Sequence, residues 1–291
     1  MIDFTNLPVR KKGYGGANGS KLSIVYNNNV YMLKLPTHAL KNPNLSYTNS
    51  CLSEYLGCHI FNMLGINAQE TLLGIYKYHG KVRNVVACKD FTSSNTSFID
   101  FASVKNQIID SASNGYGTEI KDILDTIEEQ NAVDPNKLRD HFWNVFVVDA
   151  FIGNRDRHNG NWGFLYNQEK DEMKIAPIFD CGSALFPQID DDFIKKVISS
   201  KAEMNARVYD VPTSAILFNG RRGNYFKIIT SLEYEDCNKA IKRIVPKINL
   251  DQINLLIDEA ELASDLQKVF LKKILKMRKE IILDSALAKL S

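Results

Sequence analysis

No stretch of this chain is apolar for long enough to span a bilayer, so a helical membrane protein is not expected. Met1 to Lys12 is polar and lacks the apolar segment of a signal peptide, so a secretory leader is not expected either. Cysteine is sparse: Cys51, Cys58, Cys88, Cys181 and Cys237 are odd in number, widely spread and form no C-x-x-C. A disulfide scaffold is thereby excluded, and reduced thiols in a cytosolic protein are the simplest account. Charge of one sign is missing as well. Lys plus Arg number 36 against 34 Asp plus Glu, and a net +2 leaves no broad nucleic-acid footprint. There is no internal repeat, no low-complexity segment, no G-x-x-x-x-G-K-[ST] loop and no clean G-x-G-x-x-G. What is present is 291 residues, 44% apolar and 24% charged. That suits one two-lobed unit or two modest domains with ample core. The expected location is cytoplasmic; secretion by a machine that reads no leader would leave no trace in the sequence.

The most informative stretch runs from Phe151 to Pro187. Asp156, His158 and Asn161 share one short polar loop there, and Asp180 follows after a hairpin's length of chain. Asp156 and Asn161 have the D-x-x-x-x-N spacing of a phosphoryl-transfer loop, in which the Asp receives the substrate hydroxyl and the Asn holds metal. Asp180-Cys181-Gly182 closes an apolar run, Ile175 to Phe179, where a kinase keeps its metal-binding D-F-G. The chemistry needs in-line positioning and charge neutralisation, which two acids and an amide with bound Mg²⁺ supply. Taken alone the motif is weak, because Asp, Asn, Gly and His crowd ordinary turns.

Upstream, Gly13 to Ser20 is glycine-rich, and Leu22–Tyr26 and Val30–Leu35 read as a hairpin about Asn27–Asn29. Glycines let backbone N–H groups close on phosphates, with Lys34 on the following strand aimed into a cleft. The alternative is a leader and an edge-strand lysine. Asn49 to Leu64 carries a helical stripe (Leu52, Leu56, Ile60, Phe61, Leu64), capped by Asn49 or Ser50. Glu54, one turn in, suits an ion pair with Lys34, although the helix dipole also favours a glutamate there. Thr71–Tyr78 and Val82–Phe91 read as a second hairpin, whose polar end, Lys89-Asp90-Phe91, is placed as an inter-lobe hinge against adenine. Ser93–Ser97 reads as connecting loop, and the chain from Phe98 onward as mostly helical.

Asp134-Pro135 is a strong start for the helix that delivers the chain into Asp156. Asp190-Asp191-Asp192 reads as a solvated helix start in preference to a metal site. No chemistry is assigned to Arg207, Tyr209, Arg221 and Arg222. The last helix is basic and amphipathic through Lys268, Lys272, Lys273, Lys276, Arg278 and Lys279, which is more often a solvated face than a membrane contact.

Each piece is weak, and the order is informative. The elements G-A-N-G-S-K (Gly16, Ala17, Asn18, Gly19, Ser20, Lys21), Leu33-Lys34, S-E-Y-L at Ser53 to Leu56, G-N-R-D-R-H-N-G-N at Gly153 to Asn161 and A-P-I-F-D at Ala176 to Asp180 resemble the HipA-like serine/threonine kinases. The resemblance covers roughly residues 13 to 187, and the short chain looks most like a secreted, pro-inflammatory member. It implies an α+β, two-lobed protein-kinase-like fold, with a β-rich lobe over 1–88 and a helical lobe over 89–291. It also implies ATP and Mg²⁺ as cofactors and a protein Ser/Thr hydroxyl as acceptor, with autophosphorylation. Position by position, it implies phosphate contact by the Gly16–Lys21 loop and Lys34, orientation of Lys34 by Glu54, and adenine binding by Lys89, Asp90 and Phe91. Asp156 would be the base with His158 beside it, and Asn161 and Asp180 would bind Mg²⁺.

The chain departs from the family in two ways. Family chains usually carry an N-terminal subdomain before the loop, which here begins almost at once, so the resemblance does not by itself imply antitoxin and DNA partnerships. The neighbourhood of the family's regulatory serine is Lys12-Gly13-Tyr14 here, and Ser20 lies on the other side of the loop. Two rival readings stand beside the protein kinase. A phosphatidylinositol-type lipid kinase shares D-R-H-x-x-N, and a nucleotide-binding pseudokinase or scaffold would not need Lys34, Asp156, Asn161 and Asp180 together. No nucleic-acid partner is expected, and nothing in the sequence speaks to oligomeric state.

Overall fold

The computed structural model describes residues 1–14, 21–38, 46–108 and 114–290. The Gly16–Ser20 part of the glycine-rich loop therefore lies outside the described residues, whereas Lys21 lies inside them.

The N-terminal part is a six-stranded sheet. Its strands are β1 (Ile2–Asp3), β2 (Val9–Arg10), β3 (Lys21–Tyr26), β4 (Asn29–Lys34), and, after the short pair β5 (Thr37–His38) and β6 (Ser46–Tyr47) and helix α1 (Ser50–Met63), β7 (Thr71–Tyr78) and β8 (Lys81–Lys89). The spatial order is β1-β7-β8-β4-β3-β2, parallel only at β1–β7. The β3–β4 turn uses Asn27 and Asn28 at φ 46° and 60°, the left-handed conformation that Asn tolerates. One face buries Phe4, Ile24, Tyr31, Leu33, Leu35, Val85 and Ala87 in a core of its own. Helix α1 turns Leu52, Leu56, Ile60 and Phe61 into the larger core of the helical part. At about 1.5–3 kcal/mol per fully buried side chain, that stripe fixes the helix against the helical part. Asn49 stands at its N-cap but forms no side-chain cap; its amide donates to Ile189 O at 2.8 Å.

Residues 96–100, expected as loop running into helix, form strand β9 (Thr96–Asp100). It pairs with β10 (Gly163–Asn167), which pairs in turn with β11 (Glu172–Ile175). The helices α2 (Phe101–Ile108), α3 (Ile120–Glu129) and α4 (Pro135–Ile152) follow β9 in the chain, and α4 leads into the polar loop. Asp134 caps α4 by accepting from Asn136 N, and Gly153 ends it at φ 65°. Beyond β11 come α5 (Asp191–Ser199) and α6 (Lys201–Tyr209). A hairpin not foreseen from sequence follows, β12 (Thr213–Phe218) with β13 (Arg221–Asn224). The chain then runs through α7 (Tyr225–Ser231), α8 (Glu235–Ile244), α9 (Leu250–Glu259), α10 (Asp265–Arg278) and α11 (Ser285–Lys289).

The basic helix α10 is a packed element. Lys272 pairs with Asp258, Lys276 with Glu280, and Arg278 is fully buried. Arg278 donates to Ala150 O and Arg207 O in the last turns of α4 and α6, where a cation offsets two helix C-termini. Asp190 caps α5 and Asp191 and Asp192 lie in its first turn, as a solvated helix start requires. Among the described residues no helix is long and apolar enough to cross a membrane.

Candidate active site

Strand β4, helix α1 and the segment after β11 converge on one ion cluster. Lys34 Nζ lies 3.1 Å from Glu54 Oε2 and 3.0 Å from Asp180 Oδ1. Glu54 is 1% exposed, and its other oxygen accepts the Asp180 backbone N–H at 2.9 Å. That bond holds Asp180 at φ 58°, a left-handed conformation worth roughly 1–2 kcal/mol of strain in a non-glycine residue. Burial works against the Lys34 charge, but Asp180 and Glu54 outweigh it and raise its pKa well above the ordinary value. Lys21 stands directly across from Lys34 in the β3–β4 register, so both lysines share one face of the sheet. Burial first, then the Lys34 charge, lowers the Lys21 pKa.

The Lys34 ammonium is the main reason the Asp180 carboxyl falls to about 2. Its folded pKa thus lies below the unfolded value of about 3.9. The stabilisation it contributes is complete above pH ~4 and is lost as the pH falls through about 2. In acid titrations the stability gap between wild type and Asp180→Asn should therefore close between these pH values. A gap that stays constant down to pH 2 would contradict the pairing.

Asp156, exposed, and Asn161, buried, occupy the loop after α4. The Asn161 amide nitrogen donates to Asp156 O at 2.6 Å, while its buried Oδ1 has no hydrogen-bond partner. An unsatisfied buried amide oxygen in the loop that carries Asp156 suits a hard cation that takes the rest of its ligands from phosphate and water. Among the described residues no three His, Cys, Asp or Glu side chains form a metal cage of their own. His158 Nδ1 accepts from Gly160 N at 3.0 Å, and its backbone N–H donates to Asp156 O, so it shapes the turn.

The residue that organises this loop is Arg157, which the sequence reading passed over. Its Nε lies 3.0 Å from Asp149 Oδ2 and its Nη2 3.2 Å from Oδ1, both buried. Nη1 donates to Phe179 O at 2.5 Å and to Asn161 O at 3.4 Å, and Nη2 to Cys181 Sγ at 3.4 Å. One guanidinium thus links α4, the loop and the Asp180 segment. Asn154 Nδ2 completes the Asp149 shell at 2.9 Å. Burial works against the Arg157 charge, but Asp149 outweighs it and keeps the pKa above the ordinary value. The available signal was Asp149 itself, a lone acid in the apolar run Val145 to Ile152, where only a paired charge is tolerated. Gly57 of α1 admits Cys181: a Cβ there would lie 2.5 Å from Cys181 Cβ.

In the segment expected as a hinge, the Lys89 and Asp90 N–H groups are already bonded, to Glu70 O and Val30 O. The Asp90 side chain gathers Lys12 Nζ at 2.5 Å, Tyr14 OH at 2.9 Å and Thr92, tying the chain that enters the glycine-rich segment to the end of β8. Phe91 belongs to a ring cluster with Phe98 and Phe179, with centroids 5.2–6.0 Å apart.

A family model described as the HipA-like C-terminal domain matches residues 14–252, most of the chain and all of this cluster. The chain belongs to the HipA-like family. The serine/threonine-protein kinase CtkA of Helicobacter pylori strain J99 is 46% identical over 287 residues, covering 98% of this chain and 87% of that protein. The crystal structure of the H. pylori proinflammatory kinase CtkA superposes with a TM-score of 0.93 at 45% identity, covering 99% and 97% of the two chains. The HipA toxin of Shewanella oneidensis MR-1, solved with HipB and operator DNA, shares the fold at a TM-score of 0.53 and 11% identity, covering 97% of this chain and 70% of that one. The α+β kinase fold expected from the sequence is the fold found, and this HipA-like chain is a serine/threonine kinase.

Proposed function

We propose that this kinase transfers the γ-phosphoryl group of MgATP to a Ser or Thr hydroxyl of a protein, its own chain included, in the cleft between a sheet lobe (1–88) and a helical lobe (89–291). The observation that carries the reading is Lys34 held between Glu54 and Asp180 at 3.1 and 3.0 Å. The separate apolar core of the sheet supports the division into lobes. Lys34 and Lys21 would meet the phosphates, with the Gly16–Ser20 loop above them. Glu54 keeps the Lys34 ammonium in place. Asp180 and the free Oδ1 of Asn161 would hold Mg²⁺. Lys89 to Phe91 would face adenine through backbone groups not already spent within the sheet. When bound, MgATP supplies the phosphoryl group and the cation that offsets its charge. Asp156, exposed at the cleft and fixed through its backbone by Asn161 and His158, would orient the acceptor hydroxyl and take its proton. His158 acts through that turn and not as a second base. A lipid acceptor would need a basic membrane-facing surface, and Lys272 and Lys276 of α10 are already paired.

Binding to the folded form must stabilise it, by about 2.7 kcal/mol at a hundredfold excess over Kd. Thermal unfolding with MgATP should therefore shift upward for wild type and little for Lys34→Ala. Lys34→Arg should rescue incompletely, since a guanidinium fork does not replace a compact ammonium at a packed site. The same MgATP shift in Lys34→Ala, with undiminished phosphoserine or phosphothreonine by mass spectrometry, would remove Lys34 from the site.

A further inference from the structure

The β12–β13 hairpin and its two adjacent arginines lie outside the nucleotide machinery, yet the hairpin is bolted to the catalytic loop. Arg222 Nη2 donates to the carbonyl of Arg155, the residue before Asp156, and Arg222 Nε donates to Thr213 Oγ1 at 3.2 Å. Tyr225, just past the hairpin, donates its hydroxyl to Asn154 O at 2.5 Å. A hydrogen bond to the Arg155 carbonyl puts the Arg222 guanidinium within about 6 Å of the Asp156 Cα. Arg155 is itself exposed, and among the described residues its guanidinium meets a neutral amide, Gln188 Oε1, at 3.4 Å. Neither guanidinium pairs with a described carboxylate. The acids near Gln188 are otherwise engaged: Asp190 caps α5, Asp191 accepts from Ser264 and Asp192 pairs with Lys195. Arg207 is neutralised by Glu203. Two exposed, uncompensated guanidinium groups thus flank the residue that would receive the acceptor hydroxyl.

We infer that Arg155 and Arg222 read an anionic group, carboxylate or phosphoryl, beside the acceptor Ser or Thr. The inference rests on the proposed role of Asp156. Guanidinium groups suit such anions because their fork matches two oxygens at once. Arg221 serves as an internal control. Neighbouring residues of a strand point to opposite faces, so Arg221 adds the same net charge without facing the loop as Arg222 does.

The test uses purified wild-type chain and four serine peptide series, with neutral, Asp/Glu, phosphoserine or Lys neighbours, read as kcat/KM for phosphoryl transfer. Wild type should favour acidic over lysine-flanked acceptors by roughly tenfold, a preference that shrinks as salt rises. Arg155→Gln and Arg222→Gln should each reduce the ratio, and the double variant should bring it near unity. Glutamine at 222 ends where the arginine Nε lies, so it keeps a donor for Thr213 Oγ1 and gives up the bond to the Arg155 carbonyl; transfer to the neutral series reads the loss of that tie, and the ratio reads the loss of charge. Arg221→Gln should leave the ratio as in wild type. The phosphoserine series separates a primed acceptor from an acidic one. A wild type indifferent to flanking charge, or a preference that Arg221→Gln abolishes and the double variant does not, overturns the inference. Failure of the underlying reading looks different: Asp156→Asn would then retain transfer to every series, whatever the ratio.

Discussion

Asp156→Asn should slow phosphoryl transfer by roughly 10²- to 10⁴-fold, the usual scale for a positioned base, and leave MgATP affinity near wild type. Asparagine keeps the size and polarity of the side chain but cannot accept the hydroxyl proton. Asp156 holds its loop through its backbone carbonyl, which accepts from Asn161 Nδ2 and His158 N, and the substitution leaves that carbonyl in place. Asp180→Ala should fail differently. It removes the carboxylate 3.0 Å from Lys34 and the proposed cation ligand together, so MgATP affinity and turnover should both fall. Calorimetric MgATP binding and phosphate transfer, measured on both variants, separate the roles. Lost nucleotide binding in Asp156→Asn alongside retained binding in Asp180→Ala would reverse the assignment.

These two acids could be proposed from the sequence because phosphoryl transfer dictates residue type and order, whatever the packing. Lys34, Glu54 and Asp180 lie up to 146 positions apart and still meet in one ion cluster, and Arg157 ties the loop of Asp156 and Asn161 to the segment that carries Asp180. What was not legible depends on partners remote in the chain. Strand β9 is half-buried along its whole length and shows no alternation, and it exists because β10 lies beside it. The β12–β13 hairpin hid behind its Asn219-Gly220 turn and the arginines and glycine of β13. Asp90 could be named from the strand end, but its service to Lys12 and Tyr14 could not, since those contacts span 78 and 76 positions.

Arg157→Leu should cost about 3–5 kcal/mol of stability, the loss expected when one member of a buried ion pair is removed. The reason is the charge left behind. Asp149 is 1% exposed, and without Arg157 its carboxylate keeps, among the described residues, just Asn154 Nδ2. Against a typical total of about 5–15 kcal/mol, that is a large fraction. Arg157→Lys should recover little, because one ammonium cannot reach both Asp149 oxygens, Phe179 O and Asn161 O as a planar fork does. Asp149→Leu/Arg157→Leu should be more stable than Arg157→Leu alone, since it removes the stranded carboxylate as well. That double variant should still transfer phosphate poorly. The Phe179 and Asn161 carbonyls would have lost the donor that locks the loop carrying Asp156 to the segment carrying Asp180. Urea unfolding of the wild type, Asp149→Leu, Arg157→Leu and the double variant closes the cycle, with transfer rates on the same proteins. Stability recovering in the double variant without activity would assign Arg157 to positioning the site as well as to holding the fold. If Arg157→Leu unfolds within 1 kcal/mol of wild type, a threshold below the range expected for a buried pair, the pair is not the organising contact of this loop.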